Sequence, residues 1–200
     1  MKDIRFIAVV GGSGSGKTWL VAELAGWFGK EAAHLCLDHF YRDLDHLPGS
    51  ERELVNFDDP AAIDWDALLV VMESLERGEV AQIPVYDFTE HVRKEEIVVL
   101  ESRPFVVIEG LWLLHPEWLR EKFAMSVFVD CPEEVRLLRR VERDVIARGR
   151  TEESVRRQFA EHVQPMHACF VEPQREWAMR CVSSPLLKEE QIELFAACRG

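Results

Sequence analysis

The chain has 200 residues, 48% of them hydrophobic and 30% charged, which is the composition of a globular domain large enough for a real core. A formal net charge of −12 excludes the broad basic face that nucleic acid or an anionic membrane requires, but leaves room for a local basic pocket around a small anion. Five widely spaced cysteines, Cys36, Cys131, Cys169, Cys181 and Cys198, contain no CxxC pair; they read as free thiols in a reducing compartment and exclude a disulfide framework or zinc site. The opening MKDIRFIAVVGG is too short an apolar run for a signal peptide and carries Arg5. No stretch nears the ~18 uninterrupted apolar residues of a membrane span. The expectation is a cytoplasmic chain with no nucleic-acid and no membrane partner.

Residues 4–10, IRFIAVV, form a β-branched run ending in glycines and predict a buried strand. Leu20, Leu24 and Phe28 then recur at helical spacing within 17–28. AAHLCLD (32–38) predicts a second strand that ends on an acid, and DWDALLVVMESLERG (64–78) a helix stopped by Gly78. Residues 79–103 alternate like strands, which predicts an inserted hairpin or small sheet. PFVVIEG (104–110) and AMSVFVD (124–130) predict two more buried strands. A charged helix with Pro132 in its first turn follows over 132–147. TEESVRRQFAEHV (151–163) opens with a capping pattern at Thr151–Ser154 that lacks the strict third-position acid. Short apolar strands alternating with helices predict an α/β fold around a mostly parallel sheet flanked by helices, one domain over 1–200 with an insertion at about 79–103.

Between the first strand and first helix lies GGSGSGKT: Gly11, Gly12, Ser13, Gly14, Ser15, Gly16, Lys17 and Thr18. This fits G-x-x-x-x-G-K-[ST] in the context that gives the pattern its meaning. Glycines let backbone N–H groups point inward at phosphate oxygens, the helix N-terminus adds partial positive charge, Lys17 reaches the β/γ-phosphates, and the Thr18 hydroxyl can ligate Mg²⁺. The bland alternative, a glycine-rich turn with no ligand, is the weaker reading. Mg²⁺ takes one or two carboxylates besides its waters. Asp38 and Glu109 each end a predicted strand, where a parallel sheet opens its ligand crevice.

A phosphate loop serves kinases, switches and motors alike. No [NT]-K-x-D segment follows residue 110, which argues against a guanine-nucleotide switch, and the chain is short for a motor. A kinase needs an acceptor pocket and a basic lid. The lid candidate, RLLRRVERDVIARGR (136–150), carries six arginines against Glu142 and Asp144. Arg136, Arg139, Arg140 and Arg143 stand at helical spacing, and like charges so placed cost ~0.2–0.5 kcal/mol per pair, so something negative nearby is expected. A solvated helix face is the plain alternative. Gly149, flanked by Arg148 and Arg150, reads as a flexible joint that aims guanidiniums at the transferring phosphoryl group.

The motifs GGSGSGKT, DHFYRDL (38–44), NFDDPAAIDWDAL (56–68), PVYDFTEHVR (84–93), VVIEGLWLL (106–114) and RRVERDVIARGRTEESVRRQF (139–159), in this order and over roughly residues 4–175, resemble the uridine–cytidine kinases within the phosphoribulokinase/uridine kinase group of P-loop kinases. The resemblance implies a P-loop NTPase-type fold with an acceptor-binding hairpin at about 79–103 and a lid at about 136–158. It implies transfer from ATP or GTP, with Mg²⁺, to the 5′-hydroxyl of uridine or cytidine, a step of pyrimidine salvage. Asp38 is then the general base and a holder of Mg²⁺ alongside Thr18 and Glu109. Tyr41 lies at the substrate, Asp58 with Arg143 at the ribose hydroxyls, and Tyr86, Phe88 and His91 at the pyrimidine ring. Arg140, Arg148, Arg150 and Gln158 serve the lid, and Asp87 and Arg93 are hairpin structure. A homo-oligomer is compatible with the family.

The sequence departs from the family at Trp19, where a small polar residue is common, and at Asp59, where histidine is. After VEPQREWA (171–178) it runs MRCVSSPLLKEEQIELF, so the resemblance assigns neither a last strand nor donor-base contacts there. Two other readings stay open: a kinase of another hydroxyl acceptor (a sugar phosphate, pantothenate or nicotinamide riboside), and a catalytically silent nucleotide-binding regulator.

Overall fold

A computed structural model describes residues 4–52 and 54–200. In chain order the elements are β1 (Arg5–Val10), α1 (Lys17–Phe28), β2 (Ala32–Cys36), α2 (Gly49–Arg52), α3 (Trp65–Glu76), β3 (Ala81–Asp87), β4 (Val92–Leu100), β5 (Phe105–Gly110), α4 (Glu117–Arg120), β6 (Phe123–Asp130), α5 (Glu133–Arg148), α6 (Glu152–Gln158), α7 (Gln164–Met166), β7 (Arg180–Ser183) and α8 (Lys188–Arg199). Among the described residues, five strands form one sheet in the order β2-β5-β1-β6-β7, with parallel pairing throughout. None of the helices is long and apolar enough to cross a membrane. The five cysteines are free thiols.

β1 is central and apolar on both faces, as a strand covered on two sides must be. Phe6, Ala8 and Val10 join Leu68, Met72, Val106 and Ile108 on the side of α3. Ile7 and Val9 face the other way into Leu20, Leu24, Phe28 and Phe195, beneath α1 and α8. The final strand, β7, is a short half-exposed edge: Val127 pairs with Arg180 and Asp130 with Ser183. The sequence after residue 178 left this strand unassigned, because four residues with one partly buried apolar position carry little signal.

β2 ends sooner than expected. Its last pair is Cys36 with Glu109, and Leu37–Phe40 form a single tight helical turn, so Asp38 lies two residues beyond the strand. Gly110 accounts for the turn. A Cβ there would lie 2.6 Å from the Leu37 Cβ, so the missing side chain is what lets Leu37 fold over the end of β5. Gly110→Ala is therefore expected to lower unfolding stability by about 1–3 kcal/mol through overpacking, measured by urea denaturation. A cost within error of zero would mean that Leu37 moves away freely.

β3 and β4 form their own antiparallel ribbon, the predicted insertion. Strand side chains alternate, so Tyr86 should face opposite to Ala81 and Ile83. A register shift between Pro84 and Tyr86 reverses this: Ala81, Ile83 and Tyr86 are all buried on one side. Pro84 has no N–H for the ladder, and a bulge there re-aims the aromatic inward.

After α6, the chain winds more widely over Phe159–Val163 and His167–Val171, on either side of α7. Pro165 supplies no N–H to an ordinary helical ladder, and a wider winding accommodates it.

Candidate active site

The loop over 11–16 carries its glycines for two reasons. Gly14 (φ +80°) and Gly16 (φ +101°) are left-handed. The loop is also crowded from below: a Cβ on Gly14 would lie 2.4 Å from the Arg136 carbonyl oxygen, and one on Gly12 would lie 2.7 Å from Arg136 Nη1 and 2.9 Å from the His167 ring. Burial and the adjacent Arg136 push His167 down to about 4, so it is neutral at pH 7 and adds no charge under the loop. Lys17 Nζ donates to the carbonyls of Gly11 (2.9 Å) and Gly12 (3.0 Å). Burial lowers its pKa, opposed by the charges of Glu109 and Asp38. An ammonium held this way gains from an arriving phosphate.

Thr18 opens α1, and its hydroxyl donates to Glu109 Oε2 at 2.8 Å. The other oxygen, Oε1, is 3.1 Å from His34 Nε2. Burial opposes charge on Glu109, but the His34 hydrogen bond, Lys17 and Thr18 outweigh it and hold the carboxyl below its usual range. A hydroxyl and an ionised carboxylate side by side are hard oxygen donors, which suits Mg²⁺. Among the described residues, no group of three or more His, Cys, Asp and Glu side chains could hold a metal ion. Asp38 is half-buried, and its charge is felt at both Lys17 and Tyr41.

Tyr41, just after the Leu37–Phe40 turn, packs against the hairpin. Its hydroxyl donates to the Phe57 carbonyl (3.0 Å), and burial, then Asp38 and Asp58, raise its pKa. Its ring meets Phe57 at 5.5 Å, Tyr86 at 5.4 Å and Phe88 at 6.5 Å between centroids. His91 stacks on Phe57 at 4.3 Å and 15°. It sits at φ +57°, uncommon outside glycine, in a turn built by Asp87, whose Oδ1 accepts from Thr89 N (2.9 Å) and Glu90 N (3.1 Å). Among the described residues the buried Tyr86 hydroxyl has no hydrogen-bond partner, and burial pushes its pKa to about 12. An orphan buried hydroxyl costs free energy unless a ligand completes it.

Arg93 ties the hairpin inward. Nε donates to the Tyr41 carbonyl (3.0 Å), Nη2 to that of Phe40 (3.4 Å), and Nη1 meets Asp64 Oδ2 at 3.1 Å. Asp64 also caps α3 through Ala67 N.

The basic helix α5 divides its arginines between two tasks. Arg139 Nη1 donates to the carbonyls of Gly14 and Ser15 (3.3 Å each) and to Ser184 Oγ (3.0 Å), and Arg136 Nε donates to the Cys131 carbonyl. These two brace the phosphate loop. Arg140 faces the cleft, donating to Ser13 Oγ and Gln158 Oε1 at 3.0 Å each, and Arg150 shares Gln158 and reaches Ser154 Oγ. Asp144, the helix's own acid, is fully buried, with Arg143 Nε at 2.8 Å and Arg140 Nε at 3.5 Å. Gly149, expected as a joint, is the helix stop: φ is +62° and its N–H closes on the Asp144 carbonyl. The Arg148 side chain, expected in the lid, lies outside the described residues.

Two cavities connect these parts. A small one, about 10 Å³, is lined by Ser13, Asp58, Trp112 and His167 and joins the phosphate loop to Asp58. A larger one, about 490 Å³, has Asn56, Phe57 and Asp58 on one wall and Arg150, Gln158 and His162 on the other. The second is the size of a small-molecule site. Phe57, His34, His162 and His167 carry no assigned role in the sequence reading, and Arg136 and Arg139, read there as lid residues, instead brace the phosphate loop. Phe57 adjoins Asp58, and strand alternation sets His34 on the same face as Glu109; the rest are visible only in three dimensions.

A parallel sheet with a phosphate loop at its crevice, a Thr–Glu pair beside it and the arginines of α5 packed against it has the architecture of the P-loop class. Residues 6–184 match the Phosphoribulokinase / Uridine kinase family. The chain belongs to that family and is a kinase. It is 40% identical to a uridine kinase of Deinococcus deserti over 96% of this chain and 93% of the relative, and 38% identical to one of Halobacterium salinarum over 86% and 76%. Its fold is similar to that of phosphoribulokinase from Rhodobacter spheroides, with TM-score 0.68 and 16% identity over 92% of this chain and 71% of the other. Membership implies ATP as phosphoryl donor and typically Mg²⁺.

Burial raises the pKa of Asp58, with Arg140, His162 and Arg143 pulling the other way. A carboxyl raised in the folded state favours folding only while protonated, and that contribution is lost as pH rises through the folded value. Asp58→Asn is therefore expected to melt at a higher temperature than the wild type at pH 7–8. The gain should fade as pH falls toward the ordinary aspartate value of about 4. Calorimetry across that range checks it; an unchanged or lower Tm at pH 7 contradicts the burial argument.

Proposed function

We propose that this kinase transfers the γ-phosphoryl group of ATP or GTP to the 5′-hydroxyl of uridine or cytidine, within pyrimidine salvage. The observation that carries the reading is the aromatic cluster of Tyr41, Phe57, Tyr86, Phe88 and His91, with the orphan Tyr86 hydroxyl, whose Phe57 lines the larger cavity beside Asp58 and whose Tyr41 feels the charges of Asp38 and Asp58. Flat rings and a polar edge suit an uncharged heterocycle, and Asp58 can accept from vicinal ribose hydroxyls. The uridine kinase relatives support the same acceptor.

Asp38 accepts the proton of the 5′-hydroxyl as its oxygen closes on the γ-phosphorus, and the bond to the β,γ-bridging oxygen breaks to leave the nucleoside diphosphate. Lys17 and the backbone of 11–18 hold the donor phosphates. Arg140 and Arg150, positioned partly through Gln158, stabilise charge on the transferring oxygens and shield them from water, and Arg143 and Arg148 add positive charge to the same lid. Thr18 and Glu109, with Asp38, would hold Mg²⁺, which when bound neutralises charge on the β- and γ-oxygens.

ADP release measured with uridine, cytidine, a sugar phosphate, pantothenate and nicotinamide riboside tests the acceptor. Turnover is expected with uridine and cytidine. Turnover only with another acceptor overturns the pocket reading, and none with any favours a regulator. Asp38→Asn is expected to keep nucleotide affinity while kcat falls ~10²–10⁴-fold, the usual loss on removing a general base. Undiminished kcat would remove Asp38 from the mechanism.

A further inference from the structure

β2 and β5 run parallel, with His34 opposite Val107 and Cys36 opposite Glu109. Side chains two apart share a face, so His34 and Glu109 lie on the α1 side of the sheet. The Glu109 side chain is 6% exposed, and each of its oxygens has one partner: Thr18 Oγ1 at 2.8 Å on Oε2, His34 Nε2 at 3.1 Å on Oε1. An ionised carboxylate only accepts, so the imidazole N–H is the donor. The His34 nitrogen is thereby committed to Glu109 and is not itself placed as a metal ligand.

The last torsion of a glutamate is broad, so packing alone does not fix the plane of its carboxylate. The Thr18 hydroxyl can give a lone pair to a cation and still donate its proton to Oε2, but that one bond rests on one oxygen and leaves the carboxylate plane free to turn about it. His34 is the remaining contact on the far oxygen. We propose that His34 is a positioning residue that sets the Glu109 carboxylate so that Oε2 and the Thr18 hydroxyl present a formed pair of oxygens to Mg²⁺ bound with nucleotide. This rests on the reading of Thr18 and Glu109 as magnesium residues, and it is independent of which acceptor the kinase takes. Partners of this kind typically change metal affinity by about 10- to 100-fold when removed.

Calorimetric titration with ADP, in Mg²⁺ and separately in EDTA, tests it on the wild type, His34→Leu and His34→Gln. Leucine removes the donor, and glutamine keeps an N–H at similar reach. In Mg²⁺, His34→Leu is expected to bind ADP about 10- to 100-fold more weakly. In EDTA its affinity should match the wild type, and His34→Gln should recover most of the loss. Equal weakening in Mg²⁺ and EDTA would mean that His34 only supports the fold, which overturns the proposal. So would an unweakened His34→Leu, or a His34→Gln that behaves like leucine. A wild type that binds ADP equally with and without Mg²⁺ would instead remove the magnesium reading, and the proposal with it.

Discussion

The Arg93 guanidinium ties the β3–β4 ribbon to the turn after β2 and to the start of α3. Two backbone carbonyls in the turn after β2 and the capping carboxylate of α3 converge on it, so hairpin, turn and helix are held by one side chain. Hydrogen bonds from a charged donor contribute roughly 1.5–3 kcal/mol each when shielded. This one is about one-fifth exposed, which lowers the share due to the ion pair. Ala81, Ile83 and Tyr86, buried in the core, hold the inner face of the ribbon to the same body. With it held, the bulge beside Pro84 turns Tyr86 inward, and Tyr41 links that ring to the Asp38 turn.

Charge is arranged on the opposite side by a similar economy. An acidic protein concentrates arginine on one helix, then buries Asp144 within it to hold Arg140 and Arg143. Arg136 and Arg139 turn down to the phosphate loop, where Gly12 and Gly14 leave them space. Arg140 and Arg150 share Gln158 across the cleft. The loop's glycines and the lid's arginines are therefore complementary surfaces of one contact. A side chain at Gly14 would displace α5 as well as distort the loop.

Much of the fold was legible because its signals are local. β-branched runs marked β1, β5 and β6, the GGSGSGKT loop marked the junction with α1, and alternation marked the ribbon. What failed was set by contacts distant in sequence. β2 stops at Cys36 because Gly110 receives Leu37. β7 exists because β6 offers it an edge. The wide winding after Gln158 follows from packing around Pro165. The motif residues Tyr86 and Phe88 gather on Tyr41, and Phe57 joins Tyr41 to His91 beside Asp58. The supporting residues His34 and His167 lie in no motif, because their roles depend on neighbours 75 and 155 positions away.

The most direct measurement is a crystal structure of the chain with uridine and a non-hydrolysable ATP analogue. The pyrimidine should lie against Phe57, Tyr86 and His91, with the 5′-oxygen within hydrogen-bonding reach of Asp38, about 2.6–3.2 Å, and facing the γ-phosphate. Uridine bound away from the hairpin, or its 5′-oxygen directed away from Asp38, would contradict the shared cleft on which the catalytic assignment depends.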